Sequence, residues 1–341
     1  MLARGVYMSK WIVFGAYSFV LLFVILVGYV RQIKQYRFLD FTHTGILKGI
    51  AIILIIWGHI GKRIGIGGIQ WIAGIGVSLF LICSGYGLEM SAMKNGLKGF
   101  WEKRIINTIL PFYLVSFIGL WTVGSVSVSG IVDILTFRTQ WFMNYIIICY
   151  VVYFLITFFF RENVKRINYL AVSFAIWFII DSVFFVSSEA PFLRARQMFT
   201  FLSGVIIANK KKEAEQLFSN PLFMIIQGVI GVLFLGITNL QIVKMLPIFI
   251  SNILSLLTTA PLAFFAISLT VQCKRMFNNT VLIFVGSISY ELFLVHNYSS
   301  IMIESKLLTL SIFSFVTVFL SWLFNVLYTK IVKNCIKKKG A

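Results

Sequence analysis

The sequence predicts an all-α integral membrane protein of about eleven transmembrane helices, with the N-terminus outside and the C-terminus inside. Three observations predict it. The first is composition: of 341 residues, 59% are hydrophobic and 12% are charged. The 25 glycines raise the apolar share to about 66%, against roughly 45–50% for soluble proteins counted the same way. A soluble fold of this length cannot bury so much apolar surface, and a disordered chain needs the opposite composition. The second is continuity. The apolar residues form long runs, unlike the ten-residue alternating segments of a membrane β-barrel. Helices satisfy their own backbone in lipid, so the runs read as helices. The third is charge: 30 Lys and Arg stand against 11 Asp and Glu, a net of +19, in short clusters between the runs. This is the positive-inside pattern of a protein that lives in a lipid bilayer, and no nucleic acid is expected as a partner.

The first run, Trp11 to Val30, is long enough to cross a bilayer and lacks a cleavage site, so it reads as a retained helix. Residues 1–37 then form an N-terminal helix and cytoplasmic linker, ahead of a transmembrane domain at 38–341 with a basic tail. Ten further runs follow at about 47–66, 71–92, 105–124, 140–160, 167–187, 192–209, 221–239, 246–270, 279–298 and 308–332. With segment 31–48 placed inside and the sides alternating, 21 of the Lys and Arg fall inside and nine outside. Arg4, Lys10, Lys62, Arg63, Arg138, Arg194, Arg196, Lys244 and Lys306 are the outer nine. No large extramembrane domain remains, so any chemistry belongs to the bundle or its short loops. Cys83, Cys149, Cys273 and Cys335 form no CxxC pair, and with three histidines no metal site is expected.

Ionisable groups inside spans are costly and mark candidate sites. They are His59, Asp181, Glu291 and His296, with Lys48 and Glu89 near span ends. Lys48 and His59 are eleven residues apart, close to three helical turns, so they share a face about 16 Å apart along the axis. That places Lys48 at a cytoplasmic mouth and His59 near mid-membrane. Imidazole is the natural base near neutral pH, and a cation at the mouth suits an anionic ligand reaching inward. A histidine bonded to a neighbouring helix is the plainer alternative.

Phe80 to Gly87 sets Ser84 beside Gly85 and Gly87 in an apolar run. The glycines suit close helix packing, or room for a ligand chain with Ser84 as donor. Lys103 and Arg104 enter a span ahead of Pro111, which is expected to kink it. They read as inside-positive residues or as phosphate ligands. Glu291 and His296 share a span at an offset of five, so they do not stack, although both can line one cavity. His43 is expected to sit solvated in a cytoplasmic loop.

In this order the motifs resemble the membrane acyltransferase family 3, multi-pass bacterial enzymes that O-acylate sugars and cell-envelope polymers. The residues that carry the resemblance are Lys48, ten residues, then His59; Phe80 to Tyr86, ending Ser84-Gly85-Tyr86; Lys103-Arg104 ahead of Pro111; and Ser289-Tyr290 to Leu294, then His296. It covers about residues 38–332. The family often has arginine where Lys48 stands, and a second arginine where Asn107 follows Arg104. The resemblance implies an O-acetyltransferase, moving an acetyl group from cytoplasmic acetyl-CoA to a hydroxyl of a cell-surface polysaccharide, wall polymer or lipid-linked sugar. It implies His59, Lys48, Glu291 and His296 as catalytic residues, and Lys48, Ser84, Lys103 and Arg104 for acyl-CoA, with no metal. A multi-pass exporter of a saccharide, or a silent partner of a polysaccharide synthase, are the competing readings.

Overall fold

The computed structural model describes residues 2–30, 36–122, 124, 126–160, 162–184 and 192–333. Among them there is no β-strand; nine helices are long and apolar enough to cross a membrane, and one bent pair makes a tenth crossing. The protein is an all-α, multi-pass membrane bundle.

Helix α1 (Leu2–Val30) leads into α2 (Phe41–Arg63). The Asp40 carboxylate accepts the His43 amide N–H at 2.7 Å, and this cap starts α2 six residues before the apolar run at 47. His43 is therefore not a solvated loop residue. It is fully buried, its Nδ1 accepting the Leu39 N–H and its Nε2 meeting Thr270 Oγ1, both at 2.9 Å. Helix α3 (Trp71–Asn95) runs back along α2, with Gly76 against the Ala51 carbonyl and Gly58 against Ala73, and stops at Gly96, whose φ is +60°.

Helix α4 (Phe100–Thr122) contains Pro111, which supplies no N–H. The irregularity takes the form of a π-turn at Ile105–Ile109. Tyr328 donates to the Ile106 carbonyl at 2.5 Å and Tyr290 to the Thr108 carbonyl at 2.6 Å. The backbone acceptors of this irregular turn thus find partners inside the bundle, as lipid requires. The short α5 (Val128–Leu135), α6 (Trp141–Phe159) and α7 (Asn163–Val183) follow.

The run at 192–209 is not one long helix. A single turn at Phe192–Ala195 is followed by α8 (Thr200–Asn209), ten residues long. Buried Gln197 holds the break: its side chain donates to the Gly74 carbonyl at 3.0 Å and accepts from Ser78 Oγ at 2.6 Å. Helix α8 lies parallel to α3, with Gly85 on the Phe201 carbonyl and Gly204 on the Ile82 carbonyl. Of the two sequence readings of the glycine pair, packing therefore holds for Gly85, while a methyl group at Gly87 would meet open space.

The chain continues through α9 (Lys211–Phe218), α10 (Pro221–Asn239) and α11 (Ile248–Gln272). The last two crossings are the pair α12 (Thr280–Ser287) and α13 (Ser289–Ser299), bent by 73°, and α14 (Leu307–Val332). The bend matters for function because it starts a fresh helix at the Ser289 motif. Loops after α2 and α5, before α8, after α10 and after α13 share cavities at one end of the bundle. The sequence alternation assigns those same loops to one side.

Close packing at Gly204 yields a test. Gly204→Val should lower stability in detergent by about 1–3 kcal/mol through overpacking against α3. Gly87→Ala, into open space, should stay within about 0.5 kcal/mol of wild type. Thermal unfolding of the purified variants measures both.

Candidate active site

The sequence-predicted residues separate into three groups. The first is a histidine pair. His59, one turn from the end of α2, places Nδ1 2.9 Å from Nε2 of His296 on α13. His296 is buried, and its own Nδ1 faces the carbonyls of Phe293 at 2.7 Å and Leu292 at 3.1 Å. A carbonyl oxygen only accepts, so Nδ1 of His296 carries the proton. With both rings neutral, Nε2 of His296 is then the acceptor and Nδ1 of His59 the donor. The lone pair of His59 is left on Nε2. That nitrogen has no hydrogen-bond partner among the described residues, and His59 lines two cavities of about 420 and 640 Å³. A base with its lone pair held open into a cavity can take a proton from a bound hydroxyl.

His59 lies near one end of α2. Four residues separate it from Arg63, the last residue of α2, about 6 Å along the axis. Lys48 lies toward the opposite end of the same helix, half-buried and without an ion-pair partner among the described residues. The two ends of α2 thus carry different chemistry.

The second place gathers Ser84, Tyr150 and Arg104. Ser84 Oγ and Tyr150 Oη are 3.1 Å apart. The Arg104 guanidinium stands over the Tyr150 and Phe100 rings, 5.4 and 5.5 Å from their centroids. Its Nε is buried without a hydrogen-bond partner among the described residues. Lys103, next in sequence, is exposed. Sequence reasoning missed Tyr150, which connects Ser84 to Arg104; nothing in an apolar run of aromatics distinguishes it.

The third group is the three carboxylates, each with its own partners, and none lies with His59. Glu291 sits in the first turn of α13, where a helix N-terminus favours negative charge, and accepts from Asn325 Nδ2 at 2.7 Å. His296, five residues on, lines the 420 Å³ cavity beside His59; Glu291 lines neither His59 cavity. Asp181 is buried at the end of α7, 3.4 Å from Arg194. Glu89 is fully buried and bonded to Arg166, to Tyr153 Oη at 2.6 Å and to Asn209 Nδ2 at 2.8 Å. This network ties α3, α6, α7 and α8 together, so Glu89 is a structural anchor.

The cavities add residues that sequence reasoning did not single out: Lys62, Gln70 and Asn297. Lys62 is one turn beyond His59, and Asn297 adjoins His296; both were legible as neighbours of a candidate, and Gln70 was not.

The fold and site define a multi-pass helical membrane protein with a paired, cavity-facing histidine. A family model described as an acyltransferase domain, Acyl_transf_3, matches residues 38–329. The chain belongs to this family of membrane acyltransferases. No curated protein and no solved structure matches it.

The Glu89 network can be tested apart from the chemistry. Removing one partner of a buried ion pair typically costs about 3–5 kcal/mol. Glu89→Ala should therefore lose most of its folded yield in detergent, measured by size-exclusion chromatography.

Proposed function

We propose that the protein is an O-acyltransferase, moving an acetyl group from acetyl-CoA to a saccharide hydroxyl at the cell envelope. The observation that carries this reading is the unpartnered Nε2 of His59, supported from behind by His296. The acceptor hydroxyl would give its proton to that nitrogen as its oxygen attacks the thioester carbonyl. The C–O bond forms, the C–S bond breaks, and the proton passes from His59 to the departing thiolate. The products are an ester and free CoA. His296 would act as a positioning residue, holding the His59 ring in the tautomer that can accept.

Positive-inside charge supports a cytoplasmic position for the Lys48 end of α2 and an outer position for the His59 end. Lys48, Lys103 and Arg104 would then attract the CoA phosphates, with Ser84 and Tyr150 along the path inward. The axial span from Lys48 to His59, about 16 Å, suits an extended arm that carries the thioester away from its charged head. Glu291 and Asn325 would hold the start of α13 and so the depth of His296. The donor would arrive from one face and the acceptor from the other.

The test is acetyl-CoA turnover by the purified protein in nanodiscs, with a panel of envelope glycans and lipid-linked precursors. Acceptor-dependent CoA release should occur in the wild type and fall at least about 100-fold in His59→Ala, the usual scale of general-base loss. A wild type that neither binds nor consumes acyl-CoA contradicts the reading. His296→Gln should lower kcat about 10- to 100-fold with little change in the KM for acetyl-CoA, because the substrate contacts remain. A change confined to KM would place His296 in substrate binding instead.

A further inference from the structure

Three cavities, of about 420, 420 and 640 Å³, meet at one end of the bundle, and Lys62 and Gln70 line all three. Leu193 lines the two outer ones. Together they make a trough with His59 near its middle. One arm runs to Arg196, Asn239 and Lys244. The other runs to Asp133, Arg138 and Tyr298.

The charge of the trough is one-sided. Its walls carry Lys62, Arg63, Arg138, Arg196 and Lys244 against a single carboxylate, Asp133. Lys62, Arg63, Arg138 and Lys244 have no ion-pair partner among the described residues. On the side that the charge bias makes external, topology gives no reason to collect cations. Five of the nine external cations nevertheless line this trough.

The remaining lining suits sugar. Trp71 flanks His59 on one arm and Trp141 on the other, offering flat faces for the C–H sides of pyranose rings. Gln70, Asn239, Gln140 and Asn297 offer paired donors and acceptors for hydroxyl groups. A phospholipid headgroup would occupy one end of such a trough, whereas these features extend to both sides of His59.

From this arrangement we propose that the acceptor is an anionic polysaccharide chain, lying along the trough with an internal sugar presented to His59. The proposal rests on the acyl-transfer reading and names its acceptor. Guanidinium and ammonium groups on both arms grip carboxylate or phosphate substituents. The aromatic faces set the rings, and the chain leaves at both ends, so neither terminus is needed.

The test measures binding without acyl-CoA, so its failure is distinct from failure of acyl transfer. A uronate hexasaccharide and its carboxyl-reduced, neutral counterpart are titrated against the protein in nanodiscs of zwitterionic lipid. The uronate form should bind at least about tenfold tighter, and the gap should narrow as salt rises. The double variant Arg138→Gln with Lys244→Gln should close most of the gap while keeping the thermal stability of the wild type. Equal affinity for the two sugars, or affinity for neither, overturns the proposal. So does a double variant that keeps the uronate preference and loses only co-purified anionic phospholipid. Bound uronate with no acyl-CoA consumption by any route would instead leave the trough intact and remove the transfer reading.

Discussion

The hydrogen bond between His59 and His296 organises the rest of the site, because its direction is set by backbone. The Phe293 and Leu292 carbonyls stand within 2.7 and 3.1 Å of His296 Nδ1 and leave that nitrogen only the donor role. The role of every other ring nitrogen follows in sequence, ending with a lone pair at His59 Nε2. The arrangement also depends on the 73° bend between α12 and α13. That bend brings His296 to α2 beneath a cavity, while Glu291, five residues earlier, stays with Asn325 at the start of the helix. Both groups lie on α13 after the bend, so what parts them is their offset of five residues, about 140° around the helix.

Lipid imposes the second constraint: polar groups must be satisfied within the bundle. The tyrosines that cover the π-turn of α4, the Gln197 hub and the Glu89 network all meet that demand. What remains unsatisfied is then informative. Among the described residues, the groups left open include His59 Nε2, the buried Nε of Arg104, and the trough cations Lys62, Arg63, Arg138 and Lys244, which have no ion-pair partner.

Much of the fold was legible because apolar run length and charge alternation both report crossing the membrane. The run at 192–209 was legible as apolar, but its break was not: Gln197 divides it into a turn and a ten-residue helix. His43 misled, since the Asp40 cap draws residues 41–46 into α2 and buries the ring. At the site, the identities of His59 and His296 were visible as ionisable groups in apolar runs. Their mutual contact was not, because 237 residues separate them and helical spacing says nothing across helices. Spacing put Lys48 and His59 on one helix, but the start and end of α2, and so how near His59 lies to the helix end, were hidden. The trough was illegible, being assembled from five loops with no common motif.

The most direct measurement is ¹⁵N NMR of the histidine rings in nanodiscs near neutral pH. The chain has three histidines, so single substitutions assign every signal. The account predicts neutral His59 and neutral His296, each protonated on Nδ1, and His43 protonated on Nε2, where it donates to Thr270. Finding His59 protonated on Nε2 would contradict it, since the lone pair would then face His296 and no base would be offered to the cavity.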